Sequence, residues 1–224
     1  MYKIAVIAEK GGAGKTTLTL ALAVAATRAG RKTAVIDTDP QVTASKWTDR
    51  RTDEFPWVVP THAARLRVAI EQAQTQGIDF LVIDTPPHAG TDAAEAAKLA
   101  DIVLIPTEPH LFSLETLPKV RDLLKLAGDP PAFVVINKAG TQGKEGEQAA
   151  AHAKEQGMNV CPVILHSRAA HRHAGNVGQA ASEFEPNSKA AVEANDLYMY
   201  TIKQVDNIAR EKSYGQDKPA RARA

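Results

Sequence analysis

Apolar and polar positions follow a regular rhythm along the chain. Short β-branched apolar runs alternate with longer stretches in which apolar residues recur every three or four positions. The short runs predict strands over Lys3–Ala8, Thr33–Asp37, Trp57–Pro60, Phe80–Asp84, Ile102–Pro106, Phe133–Asn137 and Val160–Leu165. The longer stretches predict helices over Lys15–Ala29, Ala63–Gln76, Asp92–Leu99, Leu114–Ala127 and Lys144–Gln156, and a last one from about Ser188 to Arg210. Several strands are apolar at every position, the pattern of a strand covered on both faces. Strands alternating with crossover helices predict an α/β fold: a doubly wound, mainly parallel sheet flanked by helices.

Past Leu165 the rhythm weakens. A segment rich in His and Arg, "HSRAAHRHAG", precedes the last helix, and "SYGQDKPARARA" closes the sequence without apolar periodicity. Residues 1–212 are therefore expected to form one domain, with 213–224 a disordered tail. Neither a repeat nor a second domain is visible. The first strand begins so early that no N-terminal helix-turn-helix module is expected.

Composition narrows the function classes. Among 224 residues, 27 Lys and Arg face 26 Asp and Glu, so a dedicated polyelectrolyte binder is disfavoured while a local basic patch is not. The single cysteine, Cys161, excludes a disulfide framework and any four-cysteine metal site within one chain; it reads as a small buried apolar residue. No apolar run approaches a membrane span, and a soluble cytosolic protein is expected.

The chemistry sits where strands end. The first strand leads into Glu9-Lys10-Gly11-Gly12-Ala13-Gly14-Lys15-Thr16-Thr17, which then opens a helix. Strand, glycine-rich loop and helix make a phosphate-binding P-loop. Glycines let backbone N–H groups converge on phosphate oxygens, and the helix N-terminus adds partial positive charge. Lys15 would neutralise the β and γ phosphates, the Thr16 hydroxyl would ligate Mg²⁺, and Thr17 would donate to the α phosphate. Two features depart from the general pattern: Glu9 stands where a glycine is usual, and Lys10 is a second cation.

Two further strands end in acids. "AVIDTDPQ" carries Asp37 and Asp39, and "FLVIDTPP" carries Asp84, all at the sheet edge where α/β folds place ligands. Asp84 reads as a Walker B acid facing Mg²⁺. "FVVINKAG" ends a strand in Asn137-Lys138.

Lys10 to Thr17 resembles the deviant P-loop, K-G-G-x-G-K-[ST], of the ParA/MinD family of ATPases, in which the first glycine is dispensable. The resemblance runs from residue 3 to about residue 140 through four ordered motifs, with a small, ParF-like variety the nearest in kind. It implies that Gly11, Gly12, Ala13, Gly14, Lys15, Thr16 and Thr17 cradle ATP. It also implies that Lys10 reaches the nucleotide of a partner subunit, so that ATP closes a sandwich homodimer. Asp37 would help hold the Mg²⁺ hydration shell, and Asp39 would orient the attacking water. "DTPPHAG" would be the second switch, with His88 an exposed loop histidine. Asn137 would bond the adenine edge with Lys138 nearby, and Leu165, His166 and Ser167 would lie against the base.

The resemblance leaves the use of ATP open. A MinD-like membrane role needs a bulky amphipathic C-terminal helix, whereas the end of this sequence offers Tyr214 and a helix-breaking Pro219. Cluster-handling relatives need paired cysteines. The remaining expectation is a partition ATPase that segregates a plasmid or positions other cargo. Its dimer would bind nucleoid DNA without sequence preference through Arg168, Arg172, Lys189, Lys203 and Arg210, and a small centromere-binding (ParB-type) or adaptor protein would stimulate hydrolysis. The alternatives are a MinD-like or cargo-positioning ATPase that does not act on plasmids, and a metabolic ATP-dependent enzyme on the same loop.

Overall fold

A computed structural model describes residues 1–88 and 90–216 of the chain. Six strands form its sheet: β1 (Tyr2–Val6), β2 (Thr33–Asp37), β3 (Trp57–Pro60), β4 (Phe80–Asp84), β5 (Ile102–Thr107) and β6 (Ala132–Ile136). All neighbours run parallel, in the order β3-β2-β4-β1-β5-β6. The helices are α1 (Lys15–Arg28), α2 (Thr43–Thr48), α3 (Leu66–Thr75), α4 (Thr91–Leu99), α5 (Leu111–Leu114), α6 (Leu117–Leu126), α7 (Glu145–Glu155), α8 (Ala169–Asn176), α9 (Ala181–Phe184) and α10 (Lys189–Gln216).

The strand period of two divides the core into two layers. Ala5, Ile36, Ile83, Ile105 and Ile136 face one layer, under α3, α4, α6 and α7. Ile4, Val35, Val82, Leu104 and Val135 face the other, under α1, α2 and α10. Helix α1 is buried on almost every side because it lies between the sheet and α10, which explains why its sequence is apolar all round.

Three expectations change. The seventh strand, Val160–Leu165, is not one. The segment follows β6, with Cys161 N–H donating to Val134 O (2.8 Å) and Leu165 N–H to Ile136 O (2.9 Å). The chain advances four residues from Cys161 to Leu165 against only two from Val134 to Ile136, so the segment around Pro162 bulges out of register and pairs through the isolated bridges Val134–Val160 and Ala139–His166. The helix expected over Leu114–Ala127 is broken between α5 and α6, where Pro118 cannot donate to the preceding turn. Helix α10 continues to Gln216, so 213–216 of the expected tail are helical, and residues 217–224 lie outside the described residues. Helices α2, α8 and α9 were not expected, being too short to show a periodicity. Among the described residues no helix is long and apolar enough to cross a membrane.

Candidate functional site

The C-terminal ends of β1, β2 and β4 meet at one edge. Asp37 and Asp84 are register partners on adjacent strands, and Val6 pairs with Asp84 from the other side. The loop from Glu9 to Gly14 rises from β1 over this edge and enters α1 at Lys15. His88 N–H donates to Glu9 O (2.9 Å), tying the loop after β4 to the base of the P-loop.

Lys138 Nζ donates to the Gly12 carbonyl, and Asn137 Nδ2 donates to the Ala13 carbonyl (2.7 Å). In a planar trans peptide the C=O and the following N–H point opposite ways. Holding these two carbonyls toward β6 therefore turns the N–H groups of Ala13 and Gly14 to the other side, as an anion cradle requires. Gly14 has φ +89°, and a Cβ there would overlap Asn137 Nδ2. Asn137 thus grips the loop through the amide that was expected to bond adenine, although it also lines the cleft described below.

Lys15 is 7% exposed, its Nζ 3.5 Å from the Lys10 carbonyl. Burial pulls its ammonium pKa down, and Asp84 and Asp39 act against that. Asp84 is fully buried. Its Oδ1 accepts from Thr19 Oγ1 at 3.3 Å, whereas its Oδ2 has no partner among the described residues. Burial lifts its carboxyl to about 7, with Asp37 adding to the rise and Thr16, Lys15 and Thr19 opposing it. A buried carboxylate oxygen without a hydrogen-bond partner, beside Thr16 in the first turn of α1 and Lys15, is a site that a divalent cation would satisfy. Among the described residues no three His, Cys, Asp or Glu side chains converge, so a cation here would complete its shell with hydroxyl and ligand oxygens.

Asp37 is engaged otherwise. Its Oδ1 accepts from Asp39 N–H (3.1 Å), and its Oδ2 accepts from Ser45 N–H (3.1 Å) and Ser45 Oγ (3.3 Å), which anchors the start of α2. Burial raises its carboxyl and these hydrogen bonds oppose the rise. Asp39 is partly exposed at the mouth and accepts from Gln41 N–H at 2.8 Å.

Lys10 lies at the rim, with Nζ 3.3 Å from Ser113 Oγ and 3.9 Å from Glu108 Oε2. The other oxygen of Glu108 is 3.0 Å from Lys138 Nζ. Glu108 was not singled out from the sequence, although its place just past the end of β5 is the position that marked the three aspartates.

Beside Thr17 and Leu18 of α1 opens a cleft of about 300 Å³, closed by Asn137, the Leu165–Arg168 segment and Leu197 of α10. His166 and Arg168 are both fastened to Glu193 of α10. Arg168, expected on a DNA-binding surface, is therefore neutralised in a partly buried ion pair (2.6 Å). Arg172 is exposed but lines the same cleft. Lys189, Lys203 and Arg210 are exposed on α10, and their spacings of 14 and 7 residues put them on one helix face. Glu193 carried no sequence signal, because an acid on an amphipathic helix ordinarily faces solvent.

A family model described as the CobQ/CobB/MinD/ParA nucleotide binding domain matches residues 4–177. The "Maintenance of carboxysome distribution protein A" of Gloeobacter kilaueensis is 27% identical over 210 residues, 93% of this chain and 95% of that protein. The "Probable plasmid-partitioning protein ParA" of Thermus thermophilus is 28% identical over 144 residues, 48% of this chain and 45% of that one. Among solved structures, the Pyrococcus furiosus cell division ATPase MinD is similar with a TM-score of 0.72 and 25% identity, over 91% of this chain and 99% of that one.

Proposed function

This chain belongs to the CobQ/CobB/MinD/ParA nucleotide-binding family, and from that premise we propose that it is a ParA-type positioning ATPase. ATP and Mg²⁺ close its homodimer, the dimer holds nucleoid DNA in the cytoplasm, and a partner protein triggers hydrolysis and release. The observation that carries this reading is the pair of lysines on one loop, Lys15 buried inside it and Lys10 on its rim. A buried lysine suffices to bind phosphate within one subunit. A second cation at the rim has reach beyond its own subunit, and charge supplied from a partner couples nucleotide state to association, as an arginine finger does.

Within each subunit Lys15 neutralises the terminal phosphates, while the N–H groups of Ala13 and Gly14 donate to them. Thr16 and Asp84 hold the cation, with Asp37 bracing the edge through Ser45 and α2. Bound Mg²⁺ supplies positive charge against the phosphate oxygens. Asp39, partly exposed at the mouth, orients the attacking water. The cleft beside Thr17 takes the base.

Lys189, Lys203 and Arg210 form a stripe ~32 Å long on α10, suited to tracking phosphates without reading bases. The cargo is a plasmid or a protein body, and the recognised partner is a small centromere-binding or adaptor protein. The similarity to a carboxysome-distribution protein over nearly the whole chain supports the positioning of cargo in general.

The test is light scattering and DNA retention with ATP, ADP and no nucleotide. The expected result is a dimer and salt-sensitive DNA binding with Mg-ATP only. Lys15→Ala should abolish nucleotide binding, whereas Lys10→Ala should bind ATP and stay monomeric. A Lys10→Ala protein that still dimerises with ATP would overturn the reading. Rapid turnover of a small carboxylated substrate, with no effect of DNA, would replace it with a metabolic ATP-dependent enzyme.

A further inference from the structure

The wall of the cleft beside Thr17 is held from two sides. From the sheet side it hangs on three backbone hydrogen bonds: Leu165 N–H to Ile136 O (2.9 Å), Ala139 N–H to Leu165 O (3.1 Å) and Ser167 N–H to Ala139 O (2.8 Å). From the helix side a single carboxylate holds it. Glu193 Oε2 accepts from His166 N–H at 3.0 Å. Glu193 Oε1 lies 2.8 Å from His166 Nδ1 and accepts from Arg168 Nε (3.0 Å) and Nη2 (2.6 Å). The Glu193 side chain is only 13% exposed. Burial alone would raise its carboxyl, but the hydrogen bonds from Arg168 and His166 outweigh this and hold it below the usual value.

A carboxylate only accepts, so the hydrogen of the Nδ1 contact must sit on the ring. In the neutral ring, Nε2 is then left as an acceptor. The charges of Arg168 and Glu193 compensate each other, so this pair adds polarity without net charge to a cleft that Arg172 and Lys138 also line. An acceptor on the wall suits a base that carries an exocyclic amine, as adenine does, and opposes a base that carries a carbonyl there, as guanine does.

We propose that Glu193 is the positioning residue of the base wall, holding the 166–168 segment against α10 and setting the His166 tautomer that favours an amino-bearing base. This rests on the reading of the cleft as the base site of an ATP-binding protein. Glu193 touches no reacting atom and acts through His166.

The experiment compares Mg-ATP, Mg-GTP and Mg-tripolyphosphate, which has the phosphates and no base, on the full chain. The wild-type protein should prefer ATP to GTP, and both should bind more tightly than tripolyphosphate. Glu193→Gln leaves one acceptor oxygen for the four donors of His166 and Arg168, so the His166 Nδ1–H loses its fixed carboxylate partner and the tautomer is no longer set. The ATP-over-GTP ratio should fall roughly tenfold, one hydrogen bond made or left unmade, with tripolyphosphate binding unchanged. His166→Phe keeps the ring and removes both nitrogens, and should lose the same discrimination while Glu193 and Arg168 stay paired. Retained tripolyphosphate binding also shows that each variant is folded.

An unchanged ATP-over-GTP ratio in both variants would overturn the proposal, as would equal loss of ATP and tripolyphosphate in Glu193→Gln, which marks a purely structural role. A wild-type protein that binds ATP no better than tripolyphosphate would instead remove the base-site reading beneath it.

Discussion

Lys10 Nζ and Glu108 Oε2 lie 3.9 Å apart within the chain, and Ser113 Oγ sits 3.3 Å from the same ammonium. The second cation of the loop is thus held within the chain, through the carboxylate that also holds Lys138 at 3.0 Å. A lysine cannot answer to Glu108 and to a partner's nucleotide at once. Both ends of this pair keep some solvent contact, so the restraint is weak. Removing the charge in Glu108→Gln should lower the ATP concentration for half-maximal dimerisation roughly 2–5-fold, the range of a partly exposed ion pair. Light scattering against ATP concentration measures it, and a rise in that concentration would mean that Glu108 supports the dimer.

Asp84 gives a pH signature. Burial lifts its carboxyl to about 7, against about 3.9 in an unfolded chain. Between those values the native state holds a proton that the unfolded state has lost, so this group makes stability fall as pH rises across the window and level off above it. Asp84→Asn should therefore be more stable than the parent at about pH 8 without Mg-nucleotide, by roughly 1–4 kcal/mol, with the gap closing towards about pH 4. The same variant should lose the Mg²⁺-dependent part of nucleotide binding. Thermal melts at several pH values decide it: a gap independent of pH would mean that Asp84 stays ionised throughout.

Gly14→Ala tests the grip of Asn137 on the loop. The residue is at φ +89°, and the new methyl would overlap the Asn137 amide. Left-handed strain costs about 1–3 kcal/mol, and displacing the amide frees the Ala13 carbonyl as well. Nucleotide binding should be lost. In an Asn137→Ala background the same change should cost less, because the overlap is gone and only the strain is left. Denaturant melts of the double-mutant cycle measure the coupling, and simple additivity would argue against the contact.

Salt dependence separates the basic residues. The logarithm of DNA affinity should fall linearly with the logarithm of salt concentration, and each lost phosphate contact should reduce the slope by about one. Lys203→Ala occurs twice in a dimer and should flatten the slope by about two. Arg168→Ala, whose partner is Glu193, should leave the slope alone and weaken ATP instead. Fluorescence anisotropy over a salt series distinguishes them, and a flattened slope for Arg168→Ala would return that residue to the DNA surface.

Much of this molecule follows from local order in the chain. Continuous apolar runs set β2 and β4 at the expected residues, because a strand buried on both faces must be apolar throughout, and the half-exposed edge strand β3 also lies where expected. The loop from Lys10 to Thr17 and the acids Asp37 and Asp84 were legible because glycine, lysine and strand-end carboxylates have few other reasons to stand at those spacings. Pro118 was equally visible, and it broke a helix that the apolar pattern alone would have continued.

What local order could not specify is which distant groups share an ion. Glu108 is 98 residues from Lys10 in sequence, and Glu193 is 25 from Arg168. An acid and a base far apart in the chain have no signature until the sheet and α10 bring them together. The folded structure therefore assigned Lys10 to Glu108, Arg168 to Glu193 and the Asn137 amide to the Ala13 carbonyl. The chemistry of the loop was written in the sequence, because it depends on residues that are neighbours. The restraints on that chemistry were decided by packing, because charge pairs by distance in space and the chain encodes that distance only through the whole fold.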